Sequence, residues 1–243
     1  MPTFAPSRFT RPLLLALFLG VASFAAQAQD AAKQLAPGFT ARTADSRLLV
    51  LPADMELYSM SAGGVVEPRA DWTDAAQKHF AEALASERKL LGAGVTTMTP
   101  TQADEFSDIV TLHRAVADAI SLHHKGGFLE LATKGDRLDW SLGDAVQPLR
   151  ERTGADYALF TWIRDSYASN ERKAAMVALA LLGAITLGGE QVGYASLVDL
   201  RTGRVVWFNQ LDRMSGDLRA AEPAVETVHA LLKGFPGFDG RQP

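Results

Sequence analysis

Cysteine is absent from all 243 residues of the sequence. Disulfide bonds therefore cannot stabilise the fold, and cysteine-based catalysis and cysteine-ligated metal sites are excluded. A diacyl lipid anchor is excluded as well, because that anchor requires a cysteine at the point where an exported chain is cleaved. An exported form of this protein is accordingly either free or held by a partner.

Recognisable catalytic motifs are also missing. The sequence holds no G-x-S-x-G nucleophile elbow, and its S-x-x-K match, Ser86 to Lys89, falls within a predicted helix among charged residues. Gly92 and Gly94 lack the rest of a dinucleotide- or phosphate-binding loop. We therefore predict no catalytic residue and no cofactor, and we expect the protein not to be an enzyme.

The five histidines do not have the spacing of a metal site. His113 and His124 would share one face of a predicted helix, but at 1.5 Å of rise per residue they would lie about 16 Å apart. Helical zinc sites place their ligands three or four residues apart. We predict no metal ligand, and we expect His113, which falls on the apolar side of its helix, to be a hydrogen-bonded core residue.

Basic residues are fewer than acidic ones, with 24 lysines and arginines and 28 aspartates and glutamates. Loss of the first 28 residues would remove two arginines and no acid, so the net charge would change from −4 to −6. A mildly acidic protein has no general electrostatic attraction to nucleic acid or to anionic lipid. We therefore predict no nucleic-acid partner.

The amino terminus has the three zones of a secretory signal. Two arginines precede an apolar run at 13–24, and a small-x-small pattern of the kind that signal peptidase accepts follows it. We predict a signal peptide at 1–28, cleaved after Ala28 at a site formed by Ala26, Ala28 and Gln29, and a mature protein in the periplasm. A permanent anchor is disfavoured, because a membrane-spanning helix needs roughly 20 apolar residues.

Strand and helix patterns interleave along the rest of the chain. Strands are predicted at 47–51, 55–60, 65–67, 95–98 and 157–163, and helices at 71–91, 101–124, 142–149, 171–187 and 221–233. The clearest hairpin joins 191–200 to 204–211 through a turn that contains Gly203. These patterns predict an α/β (α+β) fold with a single mixed β-sheet and helices packed on it, ending in a β-hairpin and a helix.

The 215 residues that would remain after cleavage suffice for one well-packed domain and are few for two. We predict a single domain at 46–235. A loose leader at 29–45 is expected before it, because that segment is polar and small. A flexible tail is expected at 236–243.

The stretch 174–189 is apolar all around the helical wheel, which excludes an ordinary half-exposed helix. Three interpretations stay open: a helix buried in the core or in an oligomer interface, a segment that enters a membrane as part of an assembly, and a loop with apolar side chains. A lone spanning helix would be short, at about 24 Å against a hydrocarbon core of roughly 30 Å. We favour an interface, whose candidate residues are Met176, Val177, Leu179, Leu181, Leu182, Ile185 and Leu187.

Three segments resemble a group of bacterial envelope proteins. Residues 48–52 are similar to the first strand of that group, 154–159 (GADYAL) to the start of its central strand, and 196–207 to its terminal hairpin, where a D-x-x-T-G turn precedes a strand with tryptophan. The group includes the curli secretion channel protein, the lipoprotein activators of penicillin-binding proteins and the amino-terminal domain of the TolB translocation protein. The resemblance covers about residues 46–233 and implies a non-enzymatic α/β domain that binds other envelope proteins. Many members are lipoproteins, whereas this chain lacks the lipid-bearing cysteine.

The sequence thus predicts a periplasmic protein-binding module, an envelope assembly or accessory factor. Its expected partners are other envelope proteins or a second copy of the chain. Two alternatives stay open, namely an exported hydrolase with a site that the sequence does not reveal and a membrane-associated oligomer. Contact with a membrane is compatible with the sequence, but lipid anchoring is not.

Overall fold

Seven strands form one mixed β-sheet in the computed structural model, which describes residues 33–124, 129–181 and 189–239. The strands are β1 (Leu48–Val50), β2 (Asp54–Met60), β3 (Val66–Pro68), β4 (Val95–Thr97), β5 (Tyr157–Ala168), β6 (Gly189–Asp199) and β7 (Val205–Arg213). The order is β3-β2-β5-β1-β4, with β6 on the other edge of β5 and β7 beyond β6. The predicted fold class is confirmed, including the final hairpin and helix.

Helices flank and connect these strands in the described chain. They are α1 (Ala70–Ser86), α2 (Arg88–Leu91), α3 (Pro100–Asp104), α4 (Ser107–His123), α5 (Gln147–Thr153), α6 (Asn170–Leu181) and α7 (Ala221–Leu231), with a 3₁₀ turn at Gly143–Val146. The single helix expected at 101–124 is divided between α3 and α4. The division falls at Phe106, which leaves helical geometry (φ −118°, ψ 24°) and has a buried ring.

Strand β5 is the centre of the sheet. It pairs in parallel with β1 and β2 along one edge and antiparallel with β6 along the other. Its side chains alternate between two cores, with Leu159 and Ile163 in one and Ala158 and Phe160 in the other. This double burial explains why the strand is apolar at every position near its start.

The two faces of the sheet are covered to different extents. Helices α1 and α7 pack their apolar sides on one face, while α4 and α5 pack on the other. On the second face, alternate side chains toward the end of β5 remain half-exposed: Trp162, Arg164 and Ser166. The end of the sheet beyond α4 is therefore open to solvent on that face.

The described parts of the expected leader and tail pack against the domain, which corrects the expectation of a loose leader over 33–45 and a flexible tail over 236–239. Arg42 is fully buried and donates hydrogen bonds to the carbonyl oxygens of Leu90 (2.6 Å), Leu91 (2.7 Å) and Pro236 (3.0 Å). Burial lowers the pKa of Arg42 to about 10. A polar composition predicted looseness here, but Arg42 joins the first and last described segments to the carboxyl end of α2.

Candidate functional site

Helix α6 presents large apolar side chains to solvent. Val177 is 65% exposed and Leu181 is 84% exposed. The helix is attached to the rest of the domain at its first turn, where the N–H of Ser169 donates to the carbonyl of Met60 and the side chain of Arg172 donates to the carbonyl of Ser61. The described part of this helix therefore does not belong to the core, although core burial was one interpretation of its sequence.

Other exposed apolar residues lie at the same end of the sheet, where β2, β5 and β7 finish and β6 begins. Val65 (59% exposed) and Val66 (49%) form the tip of the β2–β3 hairpin, and Met214 (66%) follows β7. We call these exposed residues, Val65, Val66, Val177, Leu181 and Met214, the apolar end. Scattered exposed apolar residues are ordinary, but a group at one end of a domain is typical of an interaction site.

The sequence-predicted interface residues are only partly visible in the described chain. Met176 is half-buried on α6, and Val177 and Leu181 are exposed as given above. Leu179 belongs to the same helix, but its side chain lies outside the described residues, as do Leu182, Ile185 and Leu187. The predicted signal peptide and its cleavage residues Ala26, Ala28 and Gln29 also lie outside the described residues. The interface and the signal peptide therefore stay predictions.

A second surface feature, which sequence reasoning missed, is a groove between α4 and the open part of the sheet. It consists of two cavities of about 280 and 380 Å³, and Trp162 and Tyr194 line both of them. Their rings are stacked, with centroids 5.4 Å apart and planes 16° from parallel. We call this feature the α4 groove. The sequence carried no motif for it, because its walls come from segments that are distant along the chain.

Two arginines border the floor of the α4 groove, and both form ion pairs with the carboxylate of Asp54. Asp54 accepts from Arg114 at 3.0 Å and pairs with Arg164 at 2.8 Å. Both guanidinium groups also lie over the ring of Trp162, at 5.6 Å and 4.9 Å from its centroid. These contacts fix the indole in place, so the floor of the groove is preformed.

Beneath the groove, His113 is a core residue, as its position on the apolar side of the helix predicted. Its Nε2 lies 2.5 Å from the hydroxyl oxygen of Ser196, and its ring stacks on Phe160 at 3.9 Å. Burial lowers the pKa of His113 to about 3, so the imidazole is neutral at physiological pH. Ser196 is fully buried, so this serine–histidine pair joins α4 to the sheet at the base of the cavity of about 280 Å³, whose lining includes His113.

The most strongly perturbed carboxyl group is Asp165, on the opposite face of β5. It is 2% exposed and accepts hydrogen bonds on the same oxygen from the phenol of Tyr167 and from Nε2 of Gln191 (2.5 Å). Burial raises the pKa of Asp165 to about 6. Arg213 continues the network by donating to Gln191 (2.7 Å) and to Thr227 (2.5 Å).

Asp165 could have been found from the sequence. The predicted strand stopped at Ile163, but its period of two continues, and Asp165 and Tyr167 follow Ile163 on the same face. A longer strand would have placed a carboxyl group in the core. Buried carboxylates with raised pKa values are common in active sites, and here two donors from within the fold bind one oxygen of Asp165.

The described residues contain no cluster of three or more histidine, aspartate or glutamate side chains arranged to hold a metal ion. Within the same described ranges, no helix has the length and apolar character needed to cross a membrane.

Comparisons with known proteins give structural likeness only. No family model and no curated protein matches the chain. A PelC dodecamer from Paraburkholderia phytofirmans matches with a TM-score of 0.39 and 14% identity, over 83% of this chain and 93% of that one. Lipoprotein GNA1162 from Neisseria meningitidis matches with a TM-score of 0.29 and 14% identity, over 70% and 81%. The LpoB C-terminal domain from Salmonella enterica matches with a TM-score of 0.28 and 13% identity, over 74% and 88%.

The resemblance to bacterial envelope proteins that the sequence indicated is thereby confirmed as a likeness. At these identities and TM-scores, no activity, partner or assembly state follows from the matching structures. The functional argument for this chain accordingly rests on its own surfaces.

Proposed function

We propose that this protein is a periplasmic protein-binding module, an envelope assembly or accessory factor that acts through its apolar end. The amino-terminal pattern of basic, apolar and small residues supports export to the periplasm. The observation that carries the proposal is the exposure of Val177 and Leu181, two large apolar side chains on α6, within the described chain.

Burial of the apolar end by a partner would release enough free energy to support binding. Covering a fully exposed valine, leucine or methionine side chain stabilises a complex by about 1.5–3 kcal/mol. Three separate elements contribute: α6, the β2–β3 hairpin and the residue after β7. A partner that contacts all three would bury several such side chains at once, which is the pattern of a binding hot spot.

The proposal is tested by photo-crosslinking in cells. A benzophenone amino acid replaces Val177 in one variant and Leu181 in another, while a control carries it at Glu82, an exposed residue of α1. We expect irradiation to produce a discrete adduct from the first two positions and none from the control. The adduct mass distinguishes another envelope protein from a second copy of the chain.

Sedimentation velocity supplies the complementary measurement. Leu181→Asp is expected to dissociate the complex, because it places a charge in a contact that excludes water. Ala174→Asp, on the same helix, removes no large apolar side chain and is expected to leave the complex intact. Absence of any adduct from positions 177 and 181, or equal adducts from position 82, would show that the apolar end is not the binding surface.

A further inference from the structure

We propose that the α4 groove binds an extended, basic peptide segment of a partner protein. The groove lies between α4 and the open part of the sheet, whereas the apolar end is formed by α6, the β2–β3 hairpin and Met214. The inference therefore concerns a second site and goes beyond the proposed function. Its evidence is the shape of the groove, an unpaired polar group in its floor and the charge on its rim.

The shape of the groove fits a chain rather than a small molecule. Its helical wall runs along one side of α4 from Ser107 to Leu122. At 1.5 Å of rise per residue this wall is about 22 Å long. An extended peptide covers that distance with six or seven residues, at about 3.3 Å per residue. A compact ligand would fill only one of the two cavities.

The floor of the groove contains a polar group that lacks a partner within the described chain. Tyr194 is 3% exposed and lines both cavities, and its hydroxyl makes no hydrogen bond to the described residues. Burial raises the pKa of Tyr194, so the phenol remains protonated and able to donate. A peptide carbonyl passing along the floor supplies an acceptor for this hydroxyl. The indole Nε1 of Trp162, which lines both cavities, is buried and also has no hydrogen-bond partner in the described chain.

The negative charge at the rim of the groove favours a basic ligand. Its lining includes four carboxylates, Asp54, Asp104, Asp118 and Asp212, and one arginine, Arg114, while Arg164 borders the floor. Asp54 is already held by two arginines, as described above. The other three carboxylates are exposed and form no ion pair with any described residue. Three unpaired negative charges thus flank an aromatic floor.

Together these features fit a segment with alternating side chains. Lysine or arginine side chains would reach the carboxylates at the rim, while apolar side chains two residues apart would lie on Trp162 and beside Leu122, which is 48% exposed. Rim charges contribute mainly to the rate and specificity of association, and the aromatic floor contributes apolar contact area.

Fluorescence anisotropy with a labelled heptapeptide of alternating lysine and leucine tests this inference on the protein purified after export. We expect saturable binding, and weaker binding of the matching peptide of alternating aspartate and leucine. The double variant Asp118→Asn/Asp212→Asn should bind the basic peptide about two- to thirtyfold more weakly, since each rim charge is worth about 0.2–1 kcal/mol. The matched control, Asp74→Asn/Glu226→Gln, removes two exposed carboxylates from α1 and α7 on the other face and should bind as the wild type does.

Tyr194→Phe separates groove binding from general attraction to an acidic protein, because it removes one hydroxyl and no charge. We expect it to weaken peptide binding about threefold while leaving the unfolding transition in place. Equal affinities for the wild type, the double variant and Tyr194→Phe would overturn the inference. It would also be overturned if spermine displaced the peptide at equal concentration, because the groove would then recognise charge alone. Neither outcome bears on crosslinking from α6, so the two proposals fail independently.

Discussion

The phenol of Tyr167 donates a hydrogen bond to the carboxylate of Asp165, two positions earlier on β5. The same phenol oxygen accepts the backbone N–H of Leu218 at 2.7 Å. One tyrosine thus links the end of the central strand to the loop that leads into α7. Because Asp165 and Tyr167 are both buried, the protonation of the carboxyl group and the packing of this loop are coupled.

Asp165→Asn should change the pH dependence of stability. The pKa of Asp165 is about 6 in the folded protein, above its usual value of 3.8. The protonated group therefore favours folding below pH 4, and this contribution is lost as pH rises through about 6. The shift corresponds to at most about 3 kcal/mol. Urea unfolding from pH 4 to pH 8 should show the variant gaining stability over the wild type as pH rises.

The difference between the wild type and Asp165→Asn reports on the carboxyl group of Asp165 alone, because all other titrating residues are present in both proteins. Both hydrogen bonds to Asp165 converge on a single oxygen, so the amide oxygen of asparagine can accept both. Identical pH profiles for the two proteins would show that the carboxyl group is not desolvated.

Tyr167→Phe should destabilise the domain by about 1–3 kcal/mol, because it leaves the buried N–H of Leu218 without its acceptor. Tyr58→Phe is the matched control, since Tyr58 is half-exposed on β2 and its phenol bonds to the Glu56 carboxylate beside Arg164, not to a buried backbone N–H. The control should cost less than about 0.5 kcal/mol. Chemical denaturation of the two variants gives the difference, and equal losses would contradict the proposed link to the α7 loop.

Arg42→Met should release both ends of the described chain. The substitution leaves three backbone carbonyls without donors and removes a guanidinium that lies between the rings of Phe235 and Phe238. We expect a loss of about 2–4 kcal/mol and faster proteolysis within 36–45. Arg47→Met, an exposed arginine nearby, should change neither quantity. Unchanged proteolysis of the Arg42 variant would mean that the ends are held by other contacts.

Gly203→Ala should destabilise the final hairpin more than Gly64→Ala destabilises the β2–β3 hairpin. Both glycines have positive φ, at 69° and 83°. A Cβ at position 203 would lie 2.1 Å from the carbonyl oxygen of Gly143, whereas a Cβ at position 64 meets nothing within 4 Å. We expect about 1–2 kcal/mol for Gly64→Ala, the cost of the left-handed conformation alone, and a larger loss for Gly203→Ala. Thermal unfolding measures both.

The final hairpin and the central strand show what local patterns predict well. Alternation over 191–200 and 204–211, with a glycine turn, predicted β6 and β7 within a few residues. The helix predicted at 101–124 shows where prediction stopped, because nothing local indicated that Phe106 would interrupt it to enter the core. Similarly, no local pattern indicated that the hydroxyl of Thr73 on α1 would accept the N–H of Leu57 on β2. Contacts between distant segments decided both outcomes.

By itself, the sequence determined the class of fold, the order of its elements and the apolar character of α6, because periodicity, turn residues and composition act over a few neighbouring positions. The tertiary structure decided which of those elements meet. It buried Arg42 in a segment whose polarity predicted looseness, placed Asp165 inside the domain, and formed the α4 groove from Asp54, Asp118 and Tyr194, which no local pattern connects. The physical reason is that burial and electrostatic complementarity depend on segments brought together only by folding of the whole sheet.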